Sequence, residues 1–390
     1  MARGRRFRFH VKNSARLALR GVRRMRNERS FHMSELAYPS IEERPGETSS
    51  RPYRRVIDAH VHWYPQEFVD LMVRKGAAHG AVMGEDAKGN PVVVSVPGCT
   101  QKSNMRKTMT NLEDIIADMD RRKVDTYALS MTNPLVYWAP AGFGLELAAA
   151  HNDACVEAHR KHPDRFYGCI VLPMQDLRLA AQELERMAKH PCMRAVFIAE
   201  HIEGKNLHER EFWPIYERAE ALGLPLFLTN LYPTGAERMQ DFFMLNTLGN
   251  PQEAGYAAVS LVCGGVLDAF PKLEVFLPHA GGTFPWLVGR LDLGIAVSPE
   301  LKHMKKPASE YLRRFHYDLI THHPQIMRNL IDLVGADRIV AGTDFPQAMS
   351  VKQPVDFVEA IPGLTHRERE MILCDNPARL LRIETTQPRS

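Results

Sequence analysis

Two histidines separated by one residue, His60 and His62, end an apolar β-like run that begins near Val56. Residues i and i+2 of a strand point to the same face, so the two imidazoles would project together. Paired imidazoles are common ligands of zinc and other divalent metals. Two histidines on a surface strand would give the same pattern, so the pair alone is weak support for a metal site.

Two more polar residues follow apolar runs later in the chain. His279 comes after the run 273–277 and before small residues at 280–282, which permit close approach of the backbone. Asp344 follows the run 338–341. Each has a structural alternative, because His279 could cap a helix or pack in the core, and Asp344 could be an N-cap. The constellation is more specific than any of its members.

Short β-like runs that alternate with amphipathic helices would position these residues. Eight such units predict an α/β protein with a (β/α)8 TIM barrel. Several runs are continuously apolar, as expected for parallel strands covered on both faces. An open doubly wound sheet is the competing arrangement, but no Gly-rich phosphate-binding turn follows any strand. The expected strands are 54–62, 124–131, 166–172, 195–198, 225–229, 273–277, 317–321 and 338–341.

Active sites of such barrels lie where strands end and the following loops begin. Three of the expected strands end in the candidate residues, which would bring three imidazoles and a carboxylate to one rim. Between the first two strands, residues 76–110 break the alternation. The run Val92–Val96 within them predicts a small β insertion after the first strand.

Composition limits the class of protein. The chain has 390 residues, of which 45% are hydrophobic and 25% charged, as is ordinary for a globular enzyme. No window approaches the ~18 uninterrupted apolar residues that a membrane span requires, so we expect no membrane partner. The six cysteines lack paired spacing, which favours reduced thiols in a cytoplasmic protein over disulfides.

Three regions follow from these patterns: residues 1–53 as a basic leader and linker, 54–383 as the barrel, and 384–390 as a tail. Residues 1–32 contain ten arginines, one lysine and one glutamate. Such a segment could bind nucleic acid or anionic lipid, act as an organelle transit peptide, or be a disordered leader ahead of Met33. We favour the leader, because no nucleic-acid motif follows it.

Eleven ordered segments within residues 54–383 resemble the amidohydrolase-related family (amidohydrolase 2) of decarboxylases, typified by aminocarboxymuconate-semialdehyde decarboxylase. They are residues 58–62, 137–138, 172–175, 212–216, 263–266, 270–273, 278–282, 284–285, 289–290, 342–346 and 376–378. The resemblance implies a metal-dependent barrel enzyme, in agreement with the strand pattern.

The resemblance also implies roles for single residues. His60, His62 and Asp344 would bind a divalent metal, most often zinc, with manganese also possible. His279 would be the catalytic acid or base, and Asp344 would act as both ligand and proton relay. Arg290 would reach the substrate site of a neighbouring subunit, which implies a homodimer.

Two positions depart from the family pattern. Thr229 stands where the fifth strand should end in a further histidine ligand, and threonine is a poor ligand for zinc. Either His279 or Asn230 would replace it, or the metal is bound weakly or is absent. In the helix before the second strand, residues 113–118 also lack the arginine that holds a substrate carboxylate in the type member. The substrate is therefore expected to differ from aminocarboxymuconate semialdehyde.

A metal at such a rim polarises a carboxylate or phenolate oxygen and can lower the pKa of a bound water to about 7. A histidine that titrates near neutrality can move the proton. Residue types alone fit both decarboxylation and hydrolysis or hydration of a ring-fission product. The family resemblance favours decarboxylation. A degenerate homologue that acts as a binding or scaffold protein is the third hypothesis, and the retained rim residues argue against it.

Aromatic residues near the expected loops indicate the substrate class. Trp138 and Phe284 are candidate substrate-binding residues, together with Arg290, and would suit a flat aromatic or muconate-type carboxylic acid. Each aromatic ring could equally pack a loop. The identity of the acid does not follow from the sequence pattern.

Overall fold

The structure is a computed structural model that describes residues 53–99 and 102–385. The leader predicted at 1–32, nearly all of the linker, and residues 386–390 of the tail lie outside the described residues. No helix in the described part of the chain is both long enough and apolar enough to cross a membrane.

Parallel pairing organises the main sheet. The strands of the described residues, in chain order, are β1 (Ile57–His62), β2 (Val82–Glu85), β3 (Pro91–Ser95), β4 (Ser103–Asn104), β5 (Thr126–Ser130), β6 (Phe166–Val171), β7 (Met193–Ala199), β8 (His201–Ile202), β9 (Lys205–Asn206), β10 (Leu226–Thr229), β11 (Val275–Leu277) and β12 (Phe315–Tyr317). Seven of them form the main sheet, in the order β1-β5-β6-β7-β10-β11-β12. Every residue of β1, β5, β10, β11 and β12 is buried, as parallel strands enclosed by helices require.

The eighth barrel position is filled by residues 339–345, which lack the regular pairing of a strand. The Val340 N–H donates to the Tyr317 carbonyl of β12 at 2.8 Å, and the Ala59 N–H of β1 donates to the Ala341 carbonyl at 2.8 Å. This segment therefore joins the two edge strands and closes the sheet. The predicted (β/α)8 barrel is confirmed, with an irregular eighth strand.

Helices follow most of the barrel strands and cover the sheet. They are α1 (Gln66–Lys75), α2 (Lys107–Thr110), α3 (Leu112–Arg121), α4 (Ala141–Lys161), α5 (Leu177–Met187), α6 (Trp213–Leu222), α7 (Asn250–Cys263), α8 (Val266–Ala269), α9 (Phe284–Val297), α10 (Pro324–Val334), α11 (Pro354–Glu359), α12 (His366–Glu370) and α13 (Asn376–Leu381). Strands β2, β3 and β4 form a separate antiparallel sheet. The predicted β insertion is thus confirmed.

Local sequence signals account for several element boundaries. The Asn111 side chain accepts the Asp114 N–H and begins α3, as its capping preference predicts. The Asp176 side chain accepts the Leu179 N–H and begins α5 in the same way. The seventh strand ends earlier than its sequence suggests, at Tyr317.

A buried asparagine anchors the irregular eighth strand, residues 339–345. Asn376 is fully buried at the start of α13, and its Nδ2 donates to the carbonyls of Ala336 at 2.8 Å and Ile339 at 2.7 Å. Both carbonyls lie at the entry to the irregular eighth strand. This amide therefore fixes the segment that carries Asp344.

Replacing this amide should destabilise the barrel. Asn376→Ala removes the side-chain donor from the Ile339 carbonyl, whereas the Ala336 carbonyl keeps the Ile339 N–H at 3.2 Å. An unsatisfied buried group costs about 1–3 kcal/mol, so we expect a loss of about 1–3 kcal/mol. Urea denaturation measures this loss as a lower midpoint. The matched control is Asn329→Ala on the exposed face of α10, which should leave the midpoint in place. Equal midpoints for the two variants would contradict the anchoring role.

Candidate metal centre

Three predicted ligands meet at the C-terminal end of the barrel. The Nε2 atoms of His60 and His62 lie 3.2 Å apart. Asp344 Oδ1 is 2.9 Å from His62 Nε2 and 3.7 Å from His60 Nε2. One ligand atom from each residue falls within 4.8 Å of the others. The structure thus brings together the three residues that the sequence predicted as metal ligands.

The outer nitrogens of both imidazoles face hydrogen-bond acceptors. His60 Nδ1 lies 2.9 Å from Asp318 Oδ2, and His62 Nδ1 lies 2.8 Å from the Met131 carbonyl oxygen. An acceptor at Nδ1 places the ring proton there and leaves a lone pair on Nε2. Two lone pairs that face each other beside a carboxylate repel one another unless a proton or a metal ion lies between them. The donor set therefore fits a divalent metal ion.

Asp318 is an essential support that the sequence interpretation missed. The fully buried carboxylate accepts hydrogen bonds from His60 and from the backbone N–H groups of His279 at 2.9 Å and Ala280 at 2.7 Å. It also accepts the Ile320 N–H at 3.1 Å. One side chain thus positions both a metal ligand and the loop of the candidate acid or base. A carboxylate directly after the apolar strand β12 was the available signal.

Close backbone packing brings Asp344 to the two histidines. A Cβ atom on Gly342 would lie 2.9 Å from the Cβ atoms of both His60 and Asp318, so a side chain there would push the eighth strand away. Asp344 itself has φ of +64°, a left-handed conformation that is uncommon for a residue with a side chain. Its N–H donates to the His60 carbonyl at 2.8 Å. Residues held in this way concentrate at functional sites.

A second buried carboxylate, Asp58, connects the first and eighth strands below the metal ligands. It accepts the His60 N–H at 3.2 Å and both the N–H and the hydroxyl of Thr343. The Arg122 guanidinium lies 3.8 Å from it and donates to the Thr343 hydroxyl and the Val351 carbonyl. These contacts fix the residues that precede both sets of ligands.

His279 lies beside the cluster as predicted. Its ring centroid is 6.1 Å from that of His60. Its Nδ1 atom is buried without a hydrogen-bond partner among the described residues. Both His279 and Ala280 have φ of +55°, and a Cβ on Gly282 would meet the Pro251 carbonyl oxygen at 1.7 Å. This tight loop holds the imidazole at the rim with one nitrogen available to a ligand.

Burial and charge set the protonation of these groups. Burial lowers the pKa of His279 and outweighs the opposing charges of Asp318 and Asp344, so a neutral imidazole is favoured. Burial likewise lowers the pKa of His62. Burial would also lower the pKa of His60, but the Asp318 hydrogen bond and the Asp344 charge raise it above its usual range. Burial would raise the pKa of Asp344, but the His62 hydrogen bond and the imidazole charges hold it below its usual range. Neutral imidazoles and an ionised carboxylate are the forms that bind metal.

The three predicted substrate-binding residues line two cavities. Trp138 lines a cavity of about 390 Å³ between the insertion and the loops after β5, β7 and β10. Arg290 is exposed on α9 and lines a separate cavity of about 1180 Å³. Phe284 lines the same cavity but is 2% exposed, and its ring packs edge-to-face against Phe315.

The fold and this donor set define a metal-binding barrel of the amidohydrolase type. The family model described as "Amidohydrolase" matches residues 57–383. The chain therefore belongs to the amidohydrolase family, and the predicted membership is confirmed.

Similar proteins are named as decarboxylases. A 2-amino-3-carboxymuconate-6-semialdehyde decarboxylase from Dictyostelium discoideum is 29% identical, over 84% of this chain and 92% of that one. The solved 5-carboxyvanillate decarboxylase from Sphingomonas paucimobilis has a TM-score of 0.73 and 25% identity, over 85% of this chain and 99% of that one. A dihydroxybenzoic acid decarboxylase from Polaromonas sp. JS666, solved with manganese and 2-nitroresorcinol, has a TM-score of 0.69 and 25% identity, over 84% and 97%.

Removal of the Asp318 charge should weaken metal binding. Asp318→Asn presents an amide that cannot accept all four hydrogen bonds, so His60 loses its fixed tautomer. Loss of such an outer partner typically lowers metal affinity ~10–100-fold. Competition with a chelator measures the dissociation constant of Mn²⁺ or Zn²⁺.

Asp332→Asn is the matched control, because this carboxylate is 62% exposed on α10. It should bind the metal as tightly as the wild type. An unchanged metal affinity in Asp318→Asn would show that the His60 contact does not support the ligand.

Proposed function

We propose that this protein is a metal-dependent decarboxylase of an aromatic or muconate-type carboxylic acid. The observation that carries the proposal is the cluster of His60, His62 and Asp344 beside His279 at the catalytic end of the barrel. The names of the relatives support the reaction type, because they are decarboxylases of such acids. They give no support to the hydrolase or scaffold hypotheses.

The metal would be held by His60, His62 and Asp344, with Asp318 and the Met131 carbonyl orienting the two imidazoles. When bound, the cation supplies a Lewis acid that draws electron density from substrate oxygens next to the reacting carbon. The family resemblance predicts zinc, whereas the dihydroxybenzoic acid decarboxylase was solved with manganese. We propose a divalent ion, with zinc and manganese as the two candidates.

His279 would move the proton in this reaction. Decarboxylation places a proton from solvent on the carbon that bears the carboxylate, and the electron pair of the broken carbon–carbon bond stays with the substrate as CO₂ leaves. A neutral imidazole can accept a proton and deliver it to carbon. Its Nδ1 has no competing partner among the described residues. Asp344, at the same rim, is the proposed relay.

Helix α9 supports the proposed homodimer. It exposes large apolar side chains: Trp286 at 46%, Leu287 at 53%, Leu293 at 64% and Val297 at 71%. An apolar row on a globular surface commonly marks a protein interface. Arg290 lies on the same helix, so a two-fold contact here would bring it towards the partner's site. Trp138 and Phe284 remain proposed substrate-binding residues, each lining a different cavity.

Cysteine chemistry supports a cytoplasmic location. Cys155, Cys169 and Cys192 are free thiols, and burial raises the pKa of Cys169 above its usual range. Reduced interior thiols are typical of a reducing compartment. We therefore propose that the enzyme acts in the cytoplasm.

Substitutions at the rim should separate metal binding from proton transfer. His60→Ala and Asp344→Ala should each lose metal and turnover together, since each removes a ligand. His279→Asn should retain the metal and lose turnover ~10²–10⁴-fold, as expected for a general acid or base. Metal analysis and CO₂ release, measured on the same samples, test this pattern.

His279→Asn protein that lacks metal would instead make His279 a ligand. Full turnover in His60→Ala would show that the reaction does not use the metal, and it would overturn the proposed function.

A charge on the apolar face of α9 should disrupt the dimer. Leu293→Asp would place a carboxylate in the proposed interface, where an unpaired buried charge is strongly unfavourable. Size-exclusion chromatography with light scattering should find a dimer for the wild type and a monomer for the variant. Leu333→Asp, on α10 at 45% exposure, is the control and should remain dimeric. A monomeric wild type would refute the dimer.

A further inference from the structure

Glu200 is a buried carboxylate that the site described so far does not use. It follows β7 directly and is 2% exposed. Neither of its carboxylate oxygens has a hydrogen-bond partner among the described residues. Buried polar groups are nearly always paired, and an ionised carboxylate without a partner is costly to bury. A bound cation that the two oxygens coordinate would explain why this side chain is buried.

The position of Glu200 coincides with the departure from the family pattern. Its N–H donates to the Thr229 carbonyl at 2.9 Å, and Thr229 pairs with the preceding residue, Ala199. Thr229 is the residue at which the resemblance places an imidazole ligand. Glu200 therefore stands on the neighbouring strand end, beside the position where that donor is absent.

The strand that precedes Glu200 runs past the metal ligands. The Phe197 ring of β7 lies 6.4 Å from the His62 ring, so this strand faces the metal ligands. Burial, together with the charges of Glu253 and Asp318, raises the pKa of Glu200 well above its usual range. Asp318 is the residue that orients His60. Glu200 is thus close enough to the site for the charge of Asp318 to affect its protonation.

We propose that Glu200 supplies the fourth protein ligand of the metal in place of the absent imidazole at Thr229. The inference rests on the proposed metal-dependent function. The 4.8 Å group of ligand atoms contains His60, His62 and Asp344, so Glu200 must rotate about its side-chain bonds to join it. A glutamate side chain has three rotatable torsions, which populate several staggered rotamers.

A second carboxylate changes the chemistry of the centre. Two imidazoles and two carboxylates balance the charge of a divalent cation, and the cation compensates the burial of Glu200. An oxygen donor in place of a nitrogen donor also favours harder ions, so manganese should compete better with zinc here than at a site with three imidazoles.

Glu253 provides a matched control. It is 3% exposed and therefore buried to the same degree, and it lies close enough to raise the pKa of Glu200. Its Oε2 accepts the Thr234 N–H at 2.8 Å, so this carboxylate already has a partner. A neutral amide at Glu253 should not remove a metal ligand.

The test measures Mn²⁺ affinity of the full chain by electron paramagnetic resonance titration, which needs no substrate. Glu200→Gln keeps the shape and removes the charge, and it should bind Mn²⁺ at least ~100-fold more weakly, beyond the ~10–100-fold typical of an outer partner. Glu253→Gln should match the wild type. Thr229→His in the Glu200→Gln background should restore most of the lost affinity, because it supplies the absent imidazole.

Glu200→Asp keeps the charge and shortens the side chain, so it tests reach rather than charge. Circular dichroism checks that each variant is folded. A direct ligand that is one methylene too short should bind Mn²⁺ at least tenfold more weakly, whereas a purely electrostatic role predicts wild-type affinity. Wild-type or tighter binding in folded Glu200→Gln would overturn the inference. His60→Ala separates the two claims, because retained Mn²⁺ affinity in that variant would instead refute the proposed metal centre itself.

Discussion

The protein holds two imidazole nitrogens 3.2 Å apart inside a barrel, each with its lone pair turned towards the other and towards a carboxylate. This arrangement is unfavourable without a cation, so its supports must be rigid. The hydrogen bonds of Asp318 and the Met131 carbonyl fix the two rings from behind. The eighth strand approaches so closely at Gly342 that a side chain cannot fit. These contacts at the rim keep the two imidazoles and the carboxylate close together.

The barrel explains why such a centre can be built from distant parts of the chain. Parallel strands deliver all their C-terminal ends to one rim, so residues 60, 279, 318 and 344 become neighbours. Buried carboxylates then connect adjacent elements. Asp58 links the first strand to Thr343, and Asp318 links His60 to the loop of His279. Loss of either would disturb a ligand and the backbone that carries it.

Much of this site could be predicted from the sequence, because its signals are local. The i, i+2 spacing of His60 and His62 on an apolar strand, and polar residues directly after later strands, indicated the barrel and a candidate metal site. The family resemblance then implied which three residues are the ligands. Asp318 could not be assigned from the same pattern, because its role depends on hydrogen bonds to backbone groups of another strand. The seventh strand was placed too late for the same reason, since it ends at Tyr317 where that carboxylate turns to its partners.

The irregular eighth strand and Glu200 show a second limit. The run 338–341 is apolar enough to predict a strand, yet its regular pairing is replaced by single hydrogen bonds to both neighbours. A glutamate after β7 is indistinguishable in sequence from a solvated loop residue. Only its burial without a partner identifies it as unusual.

The most direct test of the proposed chemistry follows the hydrogen that replaces the carboxylate. Metal-loaded full-length protein is incubated in D₂O with ortho-hydroxybenzoic and muconate-type acids, and the products are analysed by mass spectrometry and NMR. The proposed function predicts release of CO₂ with a single deuterium on the carbon that carried the carboxylate, and no reaction after the metal has been removed. Conversion by addition of water with the carboxylate retained, or CO₂ release that persists without metal, would contradict it.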